Sequence, residues 1–115
     1  MTEVRAQRTA ARLARHEHPA IDEAGLVAAR HADRLLAAAQ DLGITRWATY
    51  LEPLPERLRD DELAPLRRTA MRARAAYGPK DSVRDALPES LTEPFLVAID
   101  RLIRELNREA HRARD

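Results

Sequence analysis

His16, Glu17 and His18 place two imidazoles and a carboxylate within three consecutive residues, donors that a divalent metal can use. A metal site needs three or four converging ligands. On a helix the same face returns only at the third or fourth residue, so the two histidines diverge. His31 and His111 lie elsewhere in the chain. The spacing therefore assigns no metal, and no cofactor is expected. Ser82 and Asp85 form the one suggestive Ser/Asp pair. Its spacing is that of a capping box, in which the serine caps a helix and the acid reaches back to the cap. Cysteine is absent, which removes thiolate nucleophiles, disulfides and cysteine-based zinc sites. No G-x-S-x-G elbow and no glycine-rich phosphate loop occurs. The carboxylates stand among arginines, with no apolar pocket to raise a carboxyl pKa. The expectation is a non-enzyme without catalytic residues.

Binding chemistry is better represented. Trp47 and Tyr50 are half of the chain's aromatic residues, and both fall in Gly43-Ile44-Thr45-Arg46-Trp47-Ala48-Thr49-Tyr50-Leu51. Residues 63–80 carry Arg67, Arg68, Arg72, Arg74 and Lys80 with no acid. Residues 52–62, just before, carry Glu52, Glu56, Asp60, Asp61 and Glu62 against Arg57 and Arg59. Trp, Tyr and Arg dominate interface hot spots. Trp47, Tyr50, Arg67, Arg68, Arg72 and Arg74 are thus the predicted partner-binding residues. Burial decides among them. A buried Trp47 makes its segment a structural anchor and moves the surface to residues 67–74; an exposed one makes it the contact spot.

The alternative is a small helix-turn-helix DNA-binding regulator using residues 35–52. Ala39 would be its small residue, Gly43 its turn, and residues 45–50 its groove-reading segment. Trp47 then stands where a polar base-reading residue belongs. Glu52, Pro53 and Pro55 follow where basic helix is expected, and Arg46 is the one cation of a contact that needs several. Net charge is +1, short of the strongly basic signature of a nucleic-acid binder.

The elements that must position these groups are helices. Ala, Leu, Arg and Glu dominate, and all favour helix. Three glycines are too few for the turns of a β fold. Residues 3–16 form a weak helix, with a thin Ala6, Ala10 and Leu13 stripe and Arg5, Arg8, Arg12 and Arg15 projecting around it. Residues 1–18 are accordingly read as a basic N-terminal helix or mobile arm, and 19–115 as the bundle domain. A long helix runs from Pro19 to about Leu42, stopped by Gly43, with Ile21, Gly25, Ala28, Ala32, Leu35, Ala39 and Leu42 as its stripe. Thr45 caps a short helix to about Glu52, and one further turn falls within residues 55–60. A helix from about Glu62 to Tyr77 is capped by Asp60 or Asp61, with Pro65 near its start. Ser82 starts a single turn. The last helix opens at Thr92-Glu93-Pro94, runs to about residue 113 and carries Phe95, Leu96, Ile99, Leu102, Ile103 and Leu106.

These patterns predict an all-α, small four- or five-helix bundle. Leu35, Leu42, Leu66, Ile99, Leu102 and Leu106 are its expected buried residues. No apolar run is long enough to span a membrane. With a charged N-terminus and no cysteine, a cytoplasmic protein is expected. The small-residue stripe of residues 19–42 can also serve a second copy, so a homodimer is possible.

Trp47-Ala48-x-x-Leu51 after a long helix, then Tyr77-Gly78-x-x-x-Ser82-x-x-Asp85 after the next, resembles a family of small, uncharacterised, all-helical bacterial proteins. Its members carry a Trp-Ala-x-x-Leu segment and a Gly-Gly-Met-Gly-Ser-x-x-Asp loop. The resemblance covers about residues 32–106. Gly78, Ser82 and Asp85 match the loop; Pro79, Lys80 and Asp81 replace its Gly, Met and Gly. It implies a helical fold and an accessory role beside a toxin or another gene product. The expected function is a non-enzymatic protein-binding module of the immunity or accessory type. A non-catalytic subunit of a larger enzyme is a further alternative.

Overall fold

The computed structural model describes residues 14–114. The expectation of a weak helix over residues 3–16 lies mostly outside them. Six helices follow the short helical end at residues 14–16: α1 (Pro19–Asp41), α2 (Thr45–Leu51), α3 (Leu54–Asp60), α4 (Leu63–Ala75), α5 (Val83–Ala86) and α6 (Glu89–Arg114). No strand forms among the described residues. The fold is all-α. Helices α1, α6, α4 and α3 close a ring, each packed against the next, and α1 packs most extensively on α6. The short α2 leans on α1, and α5 leans on α6. The molecule measures 41 × 37 × 19 Å, so its thin dimension is about two helix diameters.

The ring follows from the apolar stripes. Ile21, Ala24, Ala28, Ala32, Leu35 and Ala39 of α1 are buried, and Leu66, Ala70 and Ala73 of α4 meet the same core. Phe95, Ile99, Leu102 and Leu106 of α6 complete it. Alanine on α1 lets α6 approach closely. Leu42, expected in the core, is instead 59% exposed. It is the C-cap of α1, and the chain turns away there. Gly43 takes φ +68°; its N–H donates to the Gln40 carbonyl at 3.1 Å, and Ile44 N–H donates to the Ala39 carbonyl at 2.9 Å. This is a Schellman end, for which glycine is the natural residue.

Four other boundaries differ from expectation. The N-cap of α2 is Ile44 rather than Thr45, because Ile44 is already held by the turn that ends α1. Helix α3 is a full element rather than one turn. Pro55 sits in its first turn, where proline costs little, and Leu54 and Leu58 are both fully buried. Helix α6 starts five residues before Pro94. Ser90, whose carbonyl loses the N–H that proline lacks, is exposed and can be satisfied by water. Neither Asp60 nor Asp61 caps α4; Glu62 holds that position without a side-chain hydrogen bond.

Arg15 departs furthest from the sequence reading. Expected to project from an arm, it is fully buried. Its Nε lies 3.0 Å from Asp22 Oδ1. Its Nη1 donates to the carbonyls of Leu58 at 2.9 Å and Asp61 at 3.3 Å, and Nη2 donates to the Asp22 carbonyl at 3.3 Å. A guanidinium with several protein partners is the form in which a buried charge is tolerated. It locks residues 14–18 to α1 and to the end of α3. Space for it comes from Gly25. A Cβ there would lie 2.3 Å from Arg15 Nη2 and 2.8 Å from the Leu58 carbonyl oxygen.

Candidate functional site

Trp47 is 6% exposed and packs into the core. This burial meets the condition under which the Trp47 segment is a structural anchor and the surface moves to residues 67–74. Alternating burial along α2 turns Trp47 and Leu51 inward against α1. The residue also leaves the exposed face on which a groove-reading side chain would have to stand. Tyr50, half-buried, meets Trp47 edge-on with ring centroids 5.3 Å apart. Its hydroxyl donates to the Arg72 carbonyl at 2.5 Å, and the Arg72 guanidinium lies 4.6 Å from the Tyr50 ring centre. That stacking restricts the rotamers of Arg72. Tyr50 thus joins α2 to α4 and orients Arg72.

The four arginines of α4 divide into two pairs. Arg67 and Arg74, seven residues apart, face α6. Arg67 Nη1 donates to Asn107 Oδ1 at 2.7 Å, and Arg74 Nε lies 3.0 Å from Asp100 Oδ1. Arg68 and Arg72 turn toward α3. With Arg57, Asp61, Pro65 and Thr69 they line a shallow cleft of 430 Å³. Arg68 is exposed and makes no hydrogen bond or ion pair among the described residues. At the cleft's base, Thr69 Oγ1 donates to Asp61 Oδ2 at 3.4 Å. Burial raises the Asp61 carboxyl pKa from its ordinary value, opposed by the Thr69 hydrogen bond and by Arg57 and Arg15. Three guanidinium groups therefore share the cleft with one half-buried carboxylate, and Arg57 acts on it electrostatically. Exposed arginines in this arrangement can grip carboxylate or phosphate groups through paired N–H donors.

Arg57, Asp61 and Thr69 were not among the predicted site residues. Arg57 and Asp61 stand four apart at the end of α3, a spacing that aligns them on one side. That spacing was the available signal. Of the acids in residues 52–62, Asp61 alone lines the cleft, and Arg59 of the same stretch pairs with Asp33 of α1 at 2.9 Å.

The Gly78, Ser82 and Asp85 loop is a structural joint. Ser82 Oγ accepts from Arg84 N–H at 3.1 Å and caps α5 as expected. Asp85 does not reach back; it is exposed and makes no side-chain hydrogen bond among the described residues. Asp81 adopts φ +52°, a left-handed conformation that aspartate tolerates better than most residues. Tyr77, buried, donates its hydroxyl to the Thr92 carbonyl at 2.5 Å, and burial raises its pKa. Arg84 forks onto Glu93 at 2.8 Å and closes the joint over the Tyr77 ring.

The histidines do not converge. His18 Nδ1 lies 3.5 Å from Glu109 Oε2, and no group of three metal-ligating side chains occurs among the described residues. No helix among them is long and apolar enough to cross a membrane. No known family matches the chain, and neither does any curated protein or solved structure.

Proposed function

We propose that the chain is a non-enzymatic protein-binding module, of the immunity or accessory type, that grips an acidic segment of its partner between α3 and α4. The observation that carries this reading is Arg68, exposed and uncommitted, beside an Arg72 already oriented by Tyr50. A preoriented arginine loses less freedom on binding, which favours affinity. Arg57 adds a third cation, and Asp61 gives the cleft an acceptor for a partner N–H. Arginines 67 and 74, tied to α6, belong to the scaffold of this site rather than to its mouth. A non-catalytic enzyme subunit would use the same cleft, and co-purification with a larger enzyme would distinguish that case.

The test is titration of the protein with a labelled glutamate-rich peptide and with its glutamine counterpart. The acidic peptide is expected to bind and the neutral one not. Arg68→Glu/Arg72→Glu should weaken binding at least about tenfold, in the range of a lost charge-assisted hydrogen bond. Tyr50→Ala, which removes the ring that stacks on Arg72, should weaken it by less. Equal binding of both peptides, or an unaffected double variant, would sink the proposal.

A further inference from the structure

The C-terminal half of α6 carries a second cationic surface that the protein-binding reading does not use. Arg104, Asn107, Arg108, His111 and Arg112 line a shallow hollow of 560 Å³ with no carboxylate among them. The acids of the same half-helix, Glu105 and Glu109, line a neighbouring notch against the start of α1, with Glu17 and His18, and Arg112 borders both. Arg104, Arg108 and His111 line only the acid-free hollow, so the charge of this part of α6 is sorted by face except at Arg112. Arg104 is exposed and makes no hydrogen bond or ion pair among the described residues. Arg108 and Arg112 touch Glu105 and Glu109 at 3.0 and 3.9 Å, exposed contacts of a kind that yields readily to a better anion.

Helix polarity does not account for the sorting. Cations in a last turn suit the helix dipole, but the effect fades within that turn. Arg104 stands roughly three turns before the end of α6. Arg104, Arg108 and His111 follow one another at intervals of one turn, roughly 5 Å along the axis. We infer that this face binds the phosphodiester backbone of a nucleic acid strand. The ligand suits the site because it presents a row of anions, and arginine takes each phosphate through two N–H groups. The hollow has no carboxylate to accept a peptide N–H, as Asp61 can in the cleft, so a strand of anions fits it better than a peptide does. The exposed large apolar residues, Leu42, Met71 and Val97, all lie outside the hollow. No Phe, Tyr or Trp lines it either, so the contact is with the backbone and indifferent to base sequence.

The experiment is fluorescence anisotropy of a short labelled oligothymidine titrated with the full chain at low salt. Saturable binding is expected, with log affinity falling against log salt at a slope of about 2 for three neutralised phosphates on a single strand. Arg104→Glu/Arg108→Glu should lower affinity more than about tenfold with an unchanged thermal melt, while Arg104→Lys/Arg108→Lys keeps it within about threefold. Arg68→Glu/Arg72→Glu should change it by less than about threefold, because those residues line a different cleft. Absence of saturable binding would overturn the inference. So would equal competition by polyglutamate, or a loss as large for the Arg68/Arg72 pair as for the Arg104/Arg108 pair. The inference is independent of the cleft, so either site can fail without the other.

Discussion

A methyl group on Gly25 would lie 2.3 Å from Arg15 Nη2 and 2.8 Å from the Leu58 carbonyl oxygen. In an open helix the same change would stabilise by up to about 1 kcal/mol, since alanine is the better helix former. Here the methyl has nowhere to go. The guanidinium is buried and hydrogen-bonded on several sides, and the carbonyl is backbone. Gly25→Ala is therefore expected to lose about 2 kcal/mol, the usual cost of overpacking, in urea denaturation. Arg15→Met should lose about 3 kcal/mol, because Asp22 and the Leu58 carbonyl lose a charged donor. The decisive measurement is the double variant. With the guanidinium gone, part of the Gly25→Ala clash disappears, so the combined loss should be smaller than the sum. Strict additivity would show that Gly25 does not serve Arg15.

At the scale of elements, Gly43 makes the contrasting case. A Cβ at Gly43 meets nothing within 4 Å, so space is free and only the φ of +68° matters. Gly43→Ala should cost about 1 kcal/mol through backbone strain alone, and Gly43→Asn about half of that, read from the shift in the urea midpoint. Equal effects of alanine and asparagine would mean that the left-handed turn is not what ends α1. That end was legible because glycine after an apolar stripe is a local signal. The walls α1, α4 and α6 were legible for the same reason: their stripes repeat at the helical period. Prolines misled twice. Pro55 was read as the start of a single turn and lies inside the longer α3, while Pro94 was read as a start and lies within α6. Each tolerates its position because the lost N–H falls where the helix is open to solvent or has no acceptor to miss. Leu42 fitted the stripe but sits where the chain has already turned away. In the candidate cleft, Arg68 and Arg72 were visible one turn apart, whereas Arg57 and Asp61 join them only once α3 packs on α4. Nothing local could reveal Arg15, whose carbonyl partners at Leu58 and Asp61 lie on a distant part of the chain.

Taken whole, the molecule is a slab 19 Å thick, and that shape explains its composition. Two helix layers leave one interior plane, so most side chains face water and a third of the residues can be charged. The plane itself is filled by alanine from α1 and larger aliphatic residues from the other walls. One buried cluster draws on all six helices, from Ile21 on α1 through Leu58 on α3 to Leu106 on α6. A single cluster of this kind should melt as a unit. Trp47, the chain's one tryptophan, is buried in it and reports on α2, while far-UV circular dichroism reports on all helices. The two signals are expected to trace the same urea transition. Leu102→Ala on α6 and Leu58→Ala on α3 should each lose about 2–5 kcal/mol, and each should shift both signals equally. Trp47 sits on a short helix that leans on α1, so it would be the first place for a separable transition to show. A fluorescence midpoint that moves with Leu58→Ala but not with Leu102→Ala would divide the core into two cooperative units. Coincident shifts would establish that the ring α1–α6–α4–α3 folds only when closed, with the cleft between α3 and α4 formed by that closure.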